Sequence, residues 1–439
     1  MIKTGPLSRR DVSSALLALG ALSTGCVPET RVDDSTMRPA PSAASGNAVP
    51  APAARAVSTP AAAPPPSPPP APLPLQSFDE AIATTARAVF AAAPPPGQGA
   101  TQVIIDPLID GMTGYQSKAT QSIQDRIAMI VKTDFPIYDV QRITAESLRS
   151  QPRVVLGTFT PVNAQNKSAG ARDANWFCLA MGDLKSGRII ARAVSRSRLE
   201  DADTTPTASF GDSPVWTDDP SIHTYVATCL GSKVGDPIRP EFYDGLLAAA
   251  LLSEADDAYD QGRYGEALDL YSTARKSSAG DQLRVYNGIY LCLTKLRRES
   301  AAAAAFRDLV DFGLRRKRLA LKFLFRPGSV RFVAQSNLSA QYGMWIQQIA
   351  AQAASSKVCL QITGHTSPSG PAPLNDSLSL LRAEYVQSQL ENAQPLLKNR
   401  TVAAGVGSRE NLIGTGRDDL TDLLDRRVEL APITSCAQA

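Results

Sequence analysis

Histidine is nearly absent from this chain of 439 residues: there are 2, His223 and His365. Imidazole-based metal ligation or acid–base chemistry is confined to those two positions. A surplus of one charge is missing too. Lys+Arg number 45 against 42 Asp+Glu, a net charge of +3, and without a concentrated basic patch nothing draws the chain to nucleic acid. Cysteine is sparse, 6 residues, and no cysteine spacing resembles a metal site. The apolar run from Ala15 to Leu22 is far short of the roughly 20 residues that cross a bilayer. What remains is an ordinary hydrophobic fraction of 43% and a length that allows two to four domains.

Proline, by contrast, is abundant and clustered, with 13 of 33 prolines within residues 39–74. That segment has no apolar period to bury, and its prolines fix φ and remove backbone donors, so it reads as an extended spacer over 27–76. The alternative is a low-complexity tail without a role. Ahead of it, Lys3, Arg9 and Arg10, the apolar run and Leu22-Ser23-Thr24-Gly25-Cys26 read as an export signal over 1–26. The closing pentapeptide resembles a bacterial lipobox, which implies a lipid on Cys26. Ser8-Arg9-Arg10 also resembles a twin-arginine signal. Val27, where inner-membrane retention signals place aspartate, leans towards the outer membrane.

Residues 77–242 alternate between strand and helix patterns. Val103-Ile104-Ile105, Ile137 to Val140 and Val154 to Phe159 read as strands, 117–132 as a helix, and Trp176 to Ile190 as a hairpin turning at Lys185-Ser186-Gly187. The expected fold is an α/β sandwich, similar to the periplasmic modules of penicillin-binding-protein activator and curli-secretion lipoproteins. His223 reads as a structural hydrogen-bonder near a strand, and Asp106 and Asp110 as turn caps rather than a catalytic pair. Cys178 and Cys229 are disulfide candidates in an exported chain.

Residues 246–312 turn to Ala- and Leu-rich helix. Leu251, Ala255, Ala258, Gly262, Tyr264, Ala267, Tyr271 and Ala274 resemble a tetratricopeptide repeat, and Ala302 follows Ala267 by 35 residues, near that repeat's period. Two such units cannot bury a solenoid core alone and should lean on a neighbour. They read as a structural spacer or a partner-binding groove. Cys292 reads as a small core residue.

Residues 319–433 carry the strongest signal. Phe323-Leu324-Phe325 is expected as an opening strand, followed by a helix through Trp345 and Ile349. Val358 to Ile362 leads into Gly364-His365-Thr366, Asn375, Leu378-Ser379 and Arg382-Ala383 open a helix, and Asp425-Arg426-Arg427-Val428-Glu429 ends the module. In this order and spacing they resemble the OmpA-like peptidoglycan-binding domain. That resemblance implies recognition of the diaminopimelate stem peptide by Arg382, Asn375 and Thr366, with Arg427 nearby. A guanidinium fork suits the stem's carboxylate. The family's aspartate after Gly-His-Thr is here Ser367, which lacks the charge for the stem's ammonium. Either Asp376 or backbone carbonyls substitute, or the ligand is lost; retained binding is favoured. A relay of His365 with Ser367 or Ser369 lacks an acidic orienter. Cys359 and Cys436 are a second disulfide candidate.

The expected whole is multidomain α/β plus α: an N-terminal α/β sandwich, a tetratricopeptide-like repeat pair and a C-terminal OmpA-like α/β domain. It is expected to use no cofactor and no metal and not to be an enzyme. Expected partners are peptidoglycan, the outer membrane through the lipid, and a protein bound by the repeats or the first module. The rival expectation makes 77–242 the working part, activating a wall synthase or serving a secretion assembly.

Overall fold

In a computed structural model, residues 73–95, 100–325, 329–332, 339–417 and 420–436 are described. Cys26, the lipobox and nearly all of the Pro/Ala segment lie outside them. No helix among the described residues is long and apolar enough to cross a membrane.

The chain opens with β1 (Leu75–Gln76) and α1 (Phe78–Ala92), whose Ser77 cap and Glu80 exchange hydrogen bonds in a capping box. Then come β2 (Thr101–Ile105), α2 (Lys118–Asp134), β3 (Tyr138–Arg142) and three long strands, β4 (Arg153–Val162), β5 (Ala174–Asp183) and β6 (Arg188–Arg198). They form one six-stranded sheet in the order β1-β6-β5-β4-β2-β3. Strand alternation decides which face each residue serves. Val103, Val155, Phe177 and Leu179 pack with Ile82, Val89, Ile123 and Ile127 of α1 and α2. Ile104, Val154, Leu156 and Ala180 point the other way, towards Tyr225, Phe242 and Leu246. β4 is buried along its whole length because both faces are covered.

Residues after β6 leave this sheet. α3 (Ala208–Asp212) is followed by β7 (Val215–Trp216), α4 (Pro220–Leu230) and α5 (Pro240–Asp260). α5 runs through the expected boundary at 242–246, starting at Pro240, where the missing N–H costs a helix nothing. α6 (Tyr264–Arg275), α7 (Leu283–Lys295) and α8 (Glu299–Arg315) complete two helical pairs. A Cβ at Gly288 would lie 2.4 Å from the Tyr271 ring, so α7 can approach α6 only because residue 288 has no side chain.

The last elements are β8 (Leu319–Leu321), α9 (Tyr342–Ser355), β9 (Cys359–Gly364), α10 (Ala372–Ala393), β10 (Thr401–Gly405) and β11 (Val428–Ile433). Their sheet has the order β10-β9-β11-β8-β7. The opening strand is thus 319–321, earlier than the expected 323–325; Phe325 makes only an isolated bridge to Phe332. β7 lends this sheet an edge from residues 215–216, a hundred positions upstream. A single apolar core runs from Tyr115, Phe210 and Trp216 through α5–α8 to Trp345 and Leu430. Phe306 of α8 stacks on Trp345 of α9 at 5.4 Å between centroids. The helical pairs therefore share their interior with the second sheet.

Cys178 and Cys229 are paired across the first sheet and α4, with Cα atoms 6.5 Å apart, and Cys359 and Cys436 are paired at 5.5 Å. Cys292 is buried and free among the described residues; burial pushes its thiol up to about 12. His223 stands exposed on α4 rather than near a strand. Asp110 caps its turn, accepting from the Met112 and Thr113 N–H groups and the Thr113 hydroxyl. Asp106 does not cap. It is buried at 4% exposure at the end of β2, and burial pushes its carboxyl up to about 7.

Candidate functional site

Two glycines bring α10 onto the second sheet. Gly364 of β9 and Gly405 of β10 are register partners, and a Cβ on them would lie 2.0 Å from the Ser379 carbonyl oxygen and 2.4 Å from the Leu380 nitrogen. The helix backbone thus rests on the strand ends. Ser379 secures it, accepting from the Gly407 N–H at 2.9 Å and donating to the Asp376 carbonyl at 2.8 Å.

This close approach gathers the expected site residues along the loop from β9 to α10. Thr366 donates its N–H to the Gly407 carbonyl at 2.9 Å, and its carbonyl accepts from Asn411 Nδ2 at 2.8 Å. Asn375 Nδ2 donates to the Ser369 carbonyl at 2.9 Å and the Ser367 carbonyl at 3.4 Å, so its amide braces the loop. The Ser367 and Ser369 hydroxyls share a hydrogen bond of 3.0 Å. Thr366, Ser367, Asn375 and Arg382 are each less than a tenth exposed. Among the described residues Thr366 Oγ1 has no hydrogen-bond partner, and such a buried group is costly unless something fills its need.

Arg382, two turns along α10 from Asn375, donates Nε to the Ser329 carbonyl at 3.3 Å and lies over the Phe325 ring at 4.8 Å. Stacking on an aromatic face holds a guanidinium's plane in one orientation. Asp376 is engaged with Arg409 in a half-exposed ion pair, which compensates the carboxylate that would replace the missing aspartate.

The expected ligand role of Arg427 is corrected by its surroundings. Its side chain is fully buried, donating Nε to Glu429 Oε1 at 2.6 Å and its Nη groups to the Leu424 and Glu410 carbonyls. All its donors face protein, so it holds β11 and the preceding turn together. Arg318 approaches the same Glu429 through two nitrogens, at 2.9 and 2.8 Å. Burial alone would raise the Glu429 carboxyl, but the Arg427 and Arg318 guanidinium groups hold it at about 2. His365 sits 3.6 Å from Glu429, yet burial, aided by Arg427, lowers its imidazole to about 3. Neutral and without a hydrogen bond on either ring nitrogen, it fills space behind the loop.

Sequence reading overlooked Phe325 as the platform for Arg382 and Glu429 as the acid that absorbs Arg427. An acidic residue two positions after Arg427 was a usable signal, since i and i+2 share a face of extended chain. Asn411 carried no comparable signal. Among the described residues, no cluster of His, Cys, Asp and Glu is arranged to hold a metal.

No family model and no curated protein matches the chain. Solved structures do. The peptidoglycan-associated lipoprotein from Burkholderia pseudomallei is 23% identical, covering 25% of this chain and 88% of that one at a TM-score of 0.22. The cell wall anchor of the T6SS from Pseudomonas aeruginosa is 21% identical over 27% of this chain and 81% of its own, at 0.22. The OmpA-like domain of FopA1 from Francisella tularensis is 19% identical over 27% and 75%, at 0.21. The chain is similar to these envelope proteins over about a quarter of its length.

Proposed function

We propose that the C-terminal module binds peptidoglycan non-covalently at the loop from β9 to α10. The observation that carries this reading is convergence: Arg382 over the Phe325 ring, Asn375 bracing the loop, and Thr366 Oγ1 buried without a partner among the described residues. Arg382 supplies the guanidinium for a stem-peptide carboxylate, while Thr366, Ser367 and loop carbonyls serve the ammonium without a formal charge. The protein acts by binding rather than catalysis. With a lipid on Cys26 and the Pro/Ala segment as spacer, it tethers the outer membrane to the wall, each anchor raising the effective concentration at the other. The helical pairs and the first sheet are scaffolding for periplasmic partners.

The test is co-sedimentation of the chain from Val27 onward with purified sacculi. The whole chain is needed because β7 completes the second sheet from residues 215–216. Arg382→Ala should reduce the pelleted fraction about tenfold or more, the loss expected for a charge-assisted pair. Equal pelleting of parent and variant, both folded by circular dichroism, would sink the reading.

A second reading, in which residues 77–242 are the working part and the wall module only localises them, is favoured by the polar crevice at the end of β2 described next. Deleting the wall contact should then spare that activity when the chain is supplied in excess.

A further inference from the structure

The first sheet reverses direction at β2. This strand lies between β3 and β4 and runs parallel to both, so the chain leaves it for one side and returns on the other. Such a reversal opens a crevice beyond the carboxyl ends of parallel strands, where α/β proteins hold ligands. Here a cavity of about 510 Å³ lies at that place, walled by α2 on one side and α5 on the other.

Its lining is sorted by chemistry. Ile105, Val140 and Ile143, from the ends of β2 and β3 and just beyond, give it an apolar floor. Asp125 of α2 and Glu254 of α5 stand on the two walls, and neither makes a hydrogen bond or ion pair with another described residue. The one basic lining residue, Arg142, is already engaged by Asp257 at 3.4 Å, so the crevice keeps two uncompensated carboxylates. At its edge Gln116 is 8% exposed, and its Nε2 donor has no acceptor. A buried amide donor left unmet is a standing cost that a ligand oxygen removes.

These features exclude more than they admit. Two free carboxylates repel an anion, and no aromatic ring lines the crevice for a sugar to stack on. An aliphatic stem ending in a cation fits: lysine and arginine bury their methylenes while the head stays with carboxylates at the rim. A peptide adds the carbonyl oxygen that Gln116 lacks. We infer that this crevice receives a lysine or arginine side chain presented by a peptide segment of a partner protein, with the stem on Ile105 and Val140, the head between Asp125 and Glu254, and a peptide carbonyl on Gln116 Nε2. The site is separate from the wall-binding loop.

The test uses the chain from Val27 onward and fluorescein-labelled, terminally capped pentapeptides of sequence Gly-Ala-Lys-Ala-Gly, its arginine counterpart and its acetyl-lysine counterpart, followed by anisotropy at 50 mM salt. The lysine and arginine peptides should bind and the acetylated one should not. Asp125→Asn with Glu254→Gln should weaken binding at least tenfold and flatten its salt dependence, at an unchanged melting temperature. Gln116→Met should weaken it severalfold while leaving the salt dependence intact. Arg382→Ala should leave it unchanged, which separates this site from wall binding. Failure of both basic peptides to bind, equal affinity for the acetylated peptide, equal affinity of the double variant, or competition by n-butylamine as strong as by the unlabelled peptide would each overturn the inference.

Discussion

Two parts of the molecule bury charge in opposite ways. In the second sheet Arg427, Arg318 and Glu429 are interlocked, every charge facing its opposite at hydrogen-bond distance. Asp106, at the end of β2, and Lys322, just after β8, are as deeply buried but have no ion partner at contact distance among the described residues. Lys322 Nζ donates to the Phe210 and Gly211 carbonyls, at 3.0 and 2.9 Å. The first arrangement keeps its ions charged, with Glu429 at about 2. The second lets burial weaken their charge, moving both Asp106 and Lys322 to about 7. A fold tolerates a buried ion either by pairing it or by discharging it.

The largest expected effect comes from breaking the paired arrangement. Glu429→Gln leaves the buried Arg427 against a neutral group, while the part-buried Arg318 keeps Asp218 at 3.5 Å, and the change should cost about 3–5 kcal/mol of stability by urea denaturation. Replacing both Arg427 and Glu429 by apolar residues, Arg427→Met with Glu429→Leu, should recover much of that loss, because no unpaired ion remains at position 427. A double variant no more stable than Glu429→Gln would show that the pair is needed for shape and not for charge balance.

The unpaired acid gives the next effect. Asp106 has a raised folded value, so the native state holds its proton more tightly than the unfolded chain and stability falls as pH rises from about 4 to about 7. Asp106→Asn has no proton to lose. The variant should therefore gain on the parent by about 2 kcal/mol between pH 5 and pH 7, at about 1.4 kcal/mol per unit until the proton is half lost near pH 7. A constant difference across that range would mean that Asp106 is ionised in the fold after all. Lys322 works in the opposite sense. Burial lowers its folded value to about 7, the unfolded chain holds the proton more tightly between there and its ordinary range, and stability rises with pH through that window. The gap between Lys322→Met and parent should shift by about 2 kcal/mol in the parent's favour between pH 8 and pH 9.5.

How much of this was legible depended on the distance over which a residue's role is decided. Val103 to Ile105, Val154 to Phe159 and the hairpin were readable because β-branched runs and a Lys-Ser-Gly turn are local signals. The order Gly364-His365-Thr366, Asn375, Arg382 was readable for the same reason. β7 was not: two residues have no period, and Val215 and Trp216 become a strand only because Ala320 and Leu321 lie alongside. Arg427 was expected near the ligand; Glu429, two positions on, absorbs it instead, and Arg318, which meets the same Glu429, comes from more than a hundred positions upstream with no local signal. Asp106 next to Pro107 reads as a turn, and nothing local says that α4 and α5 will close over it. Gly288 had no signal until Tyr271 stood across from it.

The loop from β9 to α10, proposed above to bind the wall, lies between the two extremes. Arg382 has an oriented guanidinium, but the position that would answer it with an anion is Ser367, whose hydroxyl meets Ser369. Ser367→Asp restores the charge within the same loop. If the loop holds a stem peptide through Arg382, the added carboxylate should tighten binding to sacculi by about 1–1.5 kcal/mol, the difference between a neutral and a charge-assisted hydrogen bond to an ammonium. It should do so at a small cost in stability without ligand, because Ser367 is 4% exposed and an ion there must be desolvated. Opposite signs for binding and stability are what distinguish a ligand contact from a packing change. A variant that loses stability without gaining affinity would mean that Ser367 marks a loop no longer shaped for an ammonium, and the module would belong with the discharged interior of Asp106 rather than with the paired one of Glu429.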